Sequence, residues 1–200
     1  MKSIKIFKSE VKNIWFTSDL HFYHTNILKF NPRTRPFKNI DEMHETMIQE
    51  WNSKVSNDDI VYILGDVSFK ITPESLKETV GKLNGKLHLI IGNHDKESDE
   101  LYSYFQSVNS YSMLRVIGET KKDSVFISLF HFPIFEWERM DQGSYMLHGH
   151  SHGSVDNKIN GRILDVGWDG KFGQSLVNFE VIKKYMENKP ISKRYHKEWC

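Results

Sequence analysis

The chain has 200 residues, 38% of them hydrophobic and 13% aromatic, which suits one large domain with a real core, or two very small ones. Its 27 basic residues against 26 acidic ones leave a net charge of +1, which gives no argument for general binding to nucleic acid or to a membrane surface. The single cysteine, Cys200, excludes a disulfide framework and points to a reducing compartment. No apolar run approaches the ~18 residues of a membrane span, and Met1-Lys2-Ser3-Ile4-Lys5 lacks the apolar stretch of a signal peptide. The expectation is a soluble, cytoplasmic protein.

Three short β-branched or aromatic runs, at 14–17, 60–64 and 87–91, read as buried strands. Between the first two lies a helical pattern, with Asp41 as its N-cap and Met43, Met47, Trp51 and Val55 recurring every fourth residue. A second helix follows, with Thr72 as cap, Pro73 at its first position, Leu76, Val80 and Leu83 on its face and Gly85 as its stop. A third is predicted around 97–108. This β-α-β-α-β order gives a parallel sheet covered by helices. Beyond about residue 112 the strands crowd together, at 113–117, 125–130, 145–147, 162–166 and 176–181, which predicts a second sheet or an antiparallel extension. Nothing resembling a repeat or linker divides residues 1–200, so a single domain is expected. It ends in a basic tail at 183–200, where positions 183–197 carry six Lys/Arg against one acid, Glu187.

The segments that follow the strands carry the chemistry. Ser18-Asp19-Leu20-His21 follows the first, Gly65-Asp66 the second and Gly92-Asn93-His94-Asp95 the third. The strand at 125–130 ends in His131, and that at 145–147 runs into Gly149-His150-Ser151-His152. Open α/β sheets bind ligands beyond the carboxyl ends of their strands, so carboxylates, imidazoles and an amide are delivered to one rim. The candidate metal ligands are Asp19, His21, Asp66, Asn93, His131, His150 and His152. Mixed oxygen and imidazole donors suit Mn, Fe, Zn or Ni better than Ca or Mg. These seven exceed what one ion with open positions needs, whereas one carboxylate bridging two cations about 3.5–4 Å apart accounts for the surplus. Such a pair activates a water and offsets the charge of an in-line displacement at phosphorus. Gly65, Gly92 and Gly149 sit where the chain must leave a strand sharply. A lone Asp-x-His is common by chance, and a lone buried His is usually a core residue; the ordered set at successive strand ends is what makes the signal specific.

Taken together, Asp19-Leu20-His21, Gly65-Asp66, Gly92-Asn93-His94-Asp95, His131 and Gly149-His150-Ser151-His152 resemble the five ordered motifs of the calcineurin-like metallophosphoesterase superfamily, across residues 19–152. The resemblance implies a four-layer α/β/β/α sandwich of two mixed sheets, with a dimetal site at the strand ends. It assigns Asp19, His21 and His152 to one cation, Asn93, His131 and His150 to the other, and Asp66 to the bridge. His94 would stay unligated as general acid, oriented by Asp95. The reaction implied is hydrolysis of a phosphodiester or nucleotide-type phosphoester by a metal-bridging hydroxide, with Mn the favoured metal. Gly65-Asp66-Val67-Ser68-Phe69-Lys70, and Asp95 after His94, depart from the Ser/Thr protein phosphatase pattern. The longer nucleases of the superfamily carry capping and DNA-binding additions for which there is little room. The segment at 16–27 looks more like the small bacterial and phage phosphoesterases.

Other residues carry two readings each. His24, three positions beyond His21, is placed either to meet a substrate phosphate or to start a helix. Arg33 and Arg35 flank Thr34 in a Pro-bounded loop, where a guanidinium fork would match phosphate oxygens and where surface arginines are also ordinary. His148 reads as a support for ligand residues or as core packing, and Trp168 and Asp169 as a pocket wall or, for Trp168, as packing. His44, His88 and His196 read as surface or strand residues. The rival to an enzyme is a metal-binding scaffold of the same fold that docks a protein partner; such a scaffold has no need of His94.

Overall fold

The short apolar runs form ten strands in two five-stranded mixed sheets, in a computed structural model that describes residues 3–120, 123–155, 158–173 and 176–193. His196, Cys200 and the end of the basic tail lie outside the described residues. The first sheet has the order β10 (Val177–Asn178), β2 (Ile14–Thr17), β3 (Ile60–Ile63), β4 (Lys86–Ile90) and β5 (Ser107–Asn109), parallel except at β10. The second runs β1 (Ile4–Phe7), β6 (Tyr111–Ile117), β7 (Val125–Phe130), β8 (Tyr145–His148) and β9 (Ile163–Asp165), antiparallel only between β6 and β7.

Strand periodicity decides which side chains face which layer. Phe16, Tyr62 and Leu64 point into the core between the sheets, against Leu114, Ile127, Leu129 and Leu147 of the second sheet. Val61, Ile63, Leu87 and Leu89 face outward and are covered by Met43, Met47 and Trp51 of α2 (Ile40–Lys54), which follows the one-turn α1 (Ile27–Phe30). On the outer face of the second sheet, Met146 and Ile163 are covered by Trp137 and Met140, in a segment of loops and a 3-10 turn. The α/β/β/α architecture is thus present, with an irregular fourth layer. Among the described residues no helix is long and apolar enough to cross a membrane.

Several element ends differ from the sequence expectation. The N-cap of α2 is Asn39, whose side chain accepts from Glu42 N at 2.9 Å, while Asp41 sits in the first turn where its charge suits the helix dipole. α3 (Pro73–Glu78) has the expected Thr72 cap and Pro73, but it breaks at Thr79 into a 3-10 turn instead of running to Gly85. The helix predicted over 97–108 is only α4 (Asp99–Tyr102); Ser107–Asn109 is instead the edge strand, tied to β4 by His88 Nδ1 and Ser107 Oγ at 2.8 Å. The strand predicted at 176–181 stops after two residues, because the Asn178 side chain accepts from Glu180 N and opens α5 (Phe179–Glu187). Residues 183–187 of the predicted tail therefore belong to a helix whose Ile182 and Met186 close the inter-sheet core.

Asp59 ties the loops leading into β2 and β3. It accepts from Asn13 Nδ2 at 3.1 Å, Trp15 Nε1 at 3.1 Å and Ser56 N at 3.0 Å. Burial alone would raise this carboxyl, but the bonds from Ser56, Trp15 and Asn13 outweigh it and hold the group below its usual range. Asp59→Ala is expected to lower stability by about 2–3 kcal/mol in urea denaturation at pH 7, since the donors lose an ionised acceptor. A carboxyl depressed in the folded state stabilises above its unfolded pKa of about 3.9, so the gap between wild type and variant should narrow as pH falls through the folded value.

Candidate metal centre

The chain leaves β2, β3 and β8 through backbone that L-residues rarely adopt. Asp19 (φ 57°), His21 (φ 53°), Asp66 (φ 56°), His150 (φ 65°) and His152 (φ 45°) are all left-handed. Backbone bonds lock these exits to one another: Asp19 N to Gly65 O at 2.9 Å, His21 N to Asp66 O at 3.0 Å, and Gly149 N to His131 O at 2.9 Å. Of the three motif glycines only Gly65 is needed for its dihedral, at φ +96°. Gly92 and Gly149 are needed for close approach, since a Cβ at Gly92 would strike Asp66 and one at Gly149 would strike Ser18 Oγ and the Asp19 carboxylate.

The seven candidate ligands converge where the carboxyl ends of both sheets meet. His21 Nε2 lies 3.8 Å from both Asp19 Oδ1 and Asp66 Oδ2. His152 Nε2 is 4.0 Å from Asp19 Oδ1, and His131 Nε2 is 3.5 Å from Asp66 Oδ1. Asn93 Oδ1 lies 2.9 Å from His131 Nε2 and 2.8 Å from His150 Nδ1. Two overlapping groups, Asp19/His21/His152 and Asp19/Asp66/His131, each bring three ligand atoms within 4.8 Å of one another and could hold an ion.

The ring environments fit cations. His131 Nδ1 is 2.6 Å from the carbonyl of Leu64, which can only accept, so Nδ1 donates there and, in the neutral ring, Nε2 carries the lone pair. Nε2, the Asn93 side-chain oxygen and Asp66 Oδ1 converge on one point. His152 Nδ1 is held by Asp169 Oδ2 at 2.7 Å, leaving Nε2 toward Asp19. Buried His21 Nε2 has no hydrogen-bond partner among the described residues. Burial, then the Arg35 guanidinium and neighbouring rings, push His21 down to about 2, so it stays in the neutral form that binds metals. Asp19 is pushed up to about 8 by burial, opposed by His152 and reinforced by Asp165 and Asp66. Burial disfavours charge on His152, yet the Asp169 hydrogen bond and the charge of Asp19 outweigh it and raise this ring above its ordinary value.

Two residues expected to serve substrate or catalysis are occupied elsewhere. Asp95 does not reach the His94 ring; its carboxylate accepts from Asp66 N, Gly92 N and Val67 N, each at 2.8 Å, and so fixes the two loops that carry Asp66 and Asn93. Arg35 is 1% exposed and cannot meet a substrate. Its Nε and Nη2 pair with Asp169, at 3.1 and 2.9 Å to the nearest oxygens, and its other donors hold the carbonyls of Asp19 and Leu20. His94 is exposed at the rim, its backbone N–H donating to Asp66 Oδ1 at 2.9 Å and its ring 4.6 Å from Phe69. His24 stacks on the same Phe69 ring, at 3.9 Å between centroids, with Nδ1 3.3 Å from His21 Nδ1. Arg33 is exposed and lines a hollow of about 280 Å³ beside His152, with Phe30, Thr34 and Asp169.

Sequence reasoning missed the work of Asp165 and undervalued Asp169. Asp165 receives Gly167 N at 2.8 Å, Gly153 N at 3.0 Å and Ser151 Oγ at 2.6 Å, which pins the loop carrying His150 and His152. Asp169 takes Arg35, Thr34, Asn31 and His152 together, and these bonds and charges overcome burial to hold it well below the usual carboxylate range. The only signal was position, since Asp165 ends β9 and Asp169 follows it. Trp168 packs in the core as its simpler reading had it, and His148 is buried with Nδ1 2.9 Å from Gly149 O. His44 is buried too, accepting Tyr23 N at 2.9 Å.

A buried carboxylate–imidazole cluster at the joined ends of two mixed sheets defines a metal-binding α/β protein. Residues 12–185 match the calcineurin-like phosphoesterase family, and the chain belongs to it, which supports a phosphoesterase role in general. It is similar to an uncharacterized protein of Methanocaldococcus jannaschii, 34% identical over 145 residues, 71% of this chain and 70% of the relative. The Gene 66 protein of Mycobacterium phage L5 is 28% identical over 184 residues, 80% of this chain and 87% of that one. A crystal structure of a protein of unknown function from Aquifex aeolicus shares the fold, with a TM-score of 0.65 and 23% identity over 86% of this chain and 98% of the other.

Asp169→Ala would leave Arg35 charged, buried and without its carboxylate. Chemical denaturation should show a loss of about 3–5 kcal/mol. Calorimetric titration with Mn²⁺ should show affinity weakened about 10–100-fold as His152 loses its anchor.

Proposed function

We propose that the protein is a phosphohydrolase that works with two divalent cations, Mn favoured, on a phosphodiester or nucleotide-type phosphoester. The observation that carries this reading is the arrangement around His131, where the ring Nε2, the Asn93 amide oxygen and the buried Asp66 carboxylate converge on one point, a mixed donor set that suits a cation. Asp19, His21 and His152 would hold one ion, and Asn93, His131 and His150 the other. Asp66, between His21 and His131, would touch both. When bound, the cations supply Lewis acidity and lower the pKa of a water.

The chain's own groups supply the rest. His94, its backbone N–H tethered to Asp66 and its ring exposed at the rim, would protonate the leaving oxygen. Arg33, in the hollow beside His152, is placed to take a non-reacting phosphate oxygen. His24, stacked on Phe69, serves as a wall of the site. Residues 1–200 are read as one such domain acting in the cytoplasm, a setting favoured by the lack of a cysteine pair.

Turnover of bis-p-nitrophenyl phosphate should require Mn²⁺ and stop with EDTA. Asp66→Ala should abolish it together with metal binding. His94→Ala should lower kcat by about 10²–10⁴-fold while metal content, measured by plasma mass spectrometry, is unchanged. An unmodified protein that binds no divalent metal would sink the reading, and metal binding without turnover would favour the scaffold.

A further inference from the structure

A hollow of about 560 Å³ does not touch the metal centre. It is bounded by Val125 at the start of β7, Tyr145 at the start of β8, and Arg162 just before β9. The metal-site residues His131 and His150 follow the other ends of β7 and β8. The six residues of β7 therefore separate the two places, roughly 20 Å at ~3.3 Å per residue.

Four cations from four segments meet there: Arg115 on β6, Arg139 before the 3-10 turn, Arg162 and Lys183 on α5. Among the described lining residues Asp123 and Glu187 are the acids, Glu187 lying 4.0 Å from Lys183 Nζ, so four cations stand against two carboxylates. Each guanidinium has an uncharged neighbour. Arg115 and Arg139 lie 5.2 and 4.3 Å from the centroid of the same Phe126 ring. Arg162 lies 5.7 Å from the Tyr145 ring, with Nη1 donating to Gly143 O at 3.2 Å, and Arg139 Nη1 donates to Gln142 Oε1 at 3.0 Å. Arg139 also adopts φ 60°, a left-handed conformation that a non-glycine residue holds at a cost of about 1–3 kcal/mol.

We propose that this hollow binds a small polyanion carrying two or more phosphate groups, at a site separate from the metal centre. Arginine forks match phosphate oxygens in pairs, and three forks from separate segments suit several phosphates better than one. The acids on the wall and the chain's net charge of +1 disfavour a continuous nucleic-acid backbone as the occupant.

Calorimetric titration of the full chain, stripped of metal, with inorganic tripolyphosphate tests this. One site is expected, weakening as NaCl is raised. Affinity should fall at least tenfold in Arg139→Ala/Arg162→Ala and remain in His150→Ala/His152→Ala. The charge-retaining Arg139→Lys/Arg162→Lys should fall between wild type and the alanine pair, and it keeps the test decisive if the alanine pair fails to fold. No binding at millimolar tripolyphosphate, wild-type affinity in the lysine pair, or loss in the histidine variant would overturn the proposal.

Discussion

The backbone at Asp19, His21, Asp66, His150 and His152 is left-handed, and the rest of the site is organised to hold it there. Each such residue sits in a region that L-side chains avoid, so the fold must over-determine it. Buried carboxylates do this. Asp95 collects three backbone N–H groups from the loops after β3 and β4, Asp165 gathers the loop after β8, and Asp19 itself accepts His150 N at 2.9 Å. Glycine appears where these loops pass too close for a Cβ. Rotating any one exit into ordinary backbone would swing its ligand out of the cluster.

Much of this was legible in the sequence, and the part that was not has a physical reason. β2, β3 and β4 are dense apolar runs buried on both faces, and each ligand follows a strand, so local pattern was enough to nominate all seven. β1 left no such trace. Its Ile4 and Phe7 are each 41% exposed, and it is held by pairing with β6, more than a hundred residues away. The family resemblance implied Asp95 as a partner of His94, whereas its carboxylate turns inward to the backbone. Arg35 read as a substrate ligand because its partner, Asp169, is 134 positions distant. Short-range pattern identifies which residues leave strands; long-range pairing decides which of them are free.

The Arg35–Asp169 pair shows how a structural contact and a site contact become one object. Burying a guanidinium and a carboxylate is costly unless every donor and lone pair is met. Here the donors reach Asp19 O and Leu20 O as well as Asp169, and the carboxylate also holds Thr34, Asn31 and His152. The result is a rigid link from the loop after α1, through the exit of β9, to the ring of His152. The same link keeps Arg33 on the accessible side of its loop while Arg35 is sealed inside.

A net charge of +1 conceals how the charges are sorted. At the carboxyl ends of the strands Asp19, Asp66, Asp165 and Asp169 lie among imidazoles, a carboxylate-rich pocket that suits cations and through them phosphoryl oxygens. At the amino ends of β7, β8 and β9 the arginines gather instead. Parallel strands make this separation possible, since every loop at one end is a carboxyl-end exit and every loop at the other an amino-end entry. Composition averages the two ends to nearly nothing, which is why it excluded a general polyanion binder and was silent about a local one.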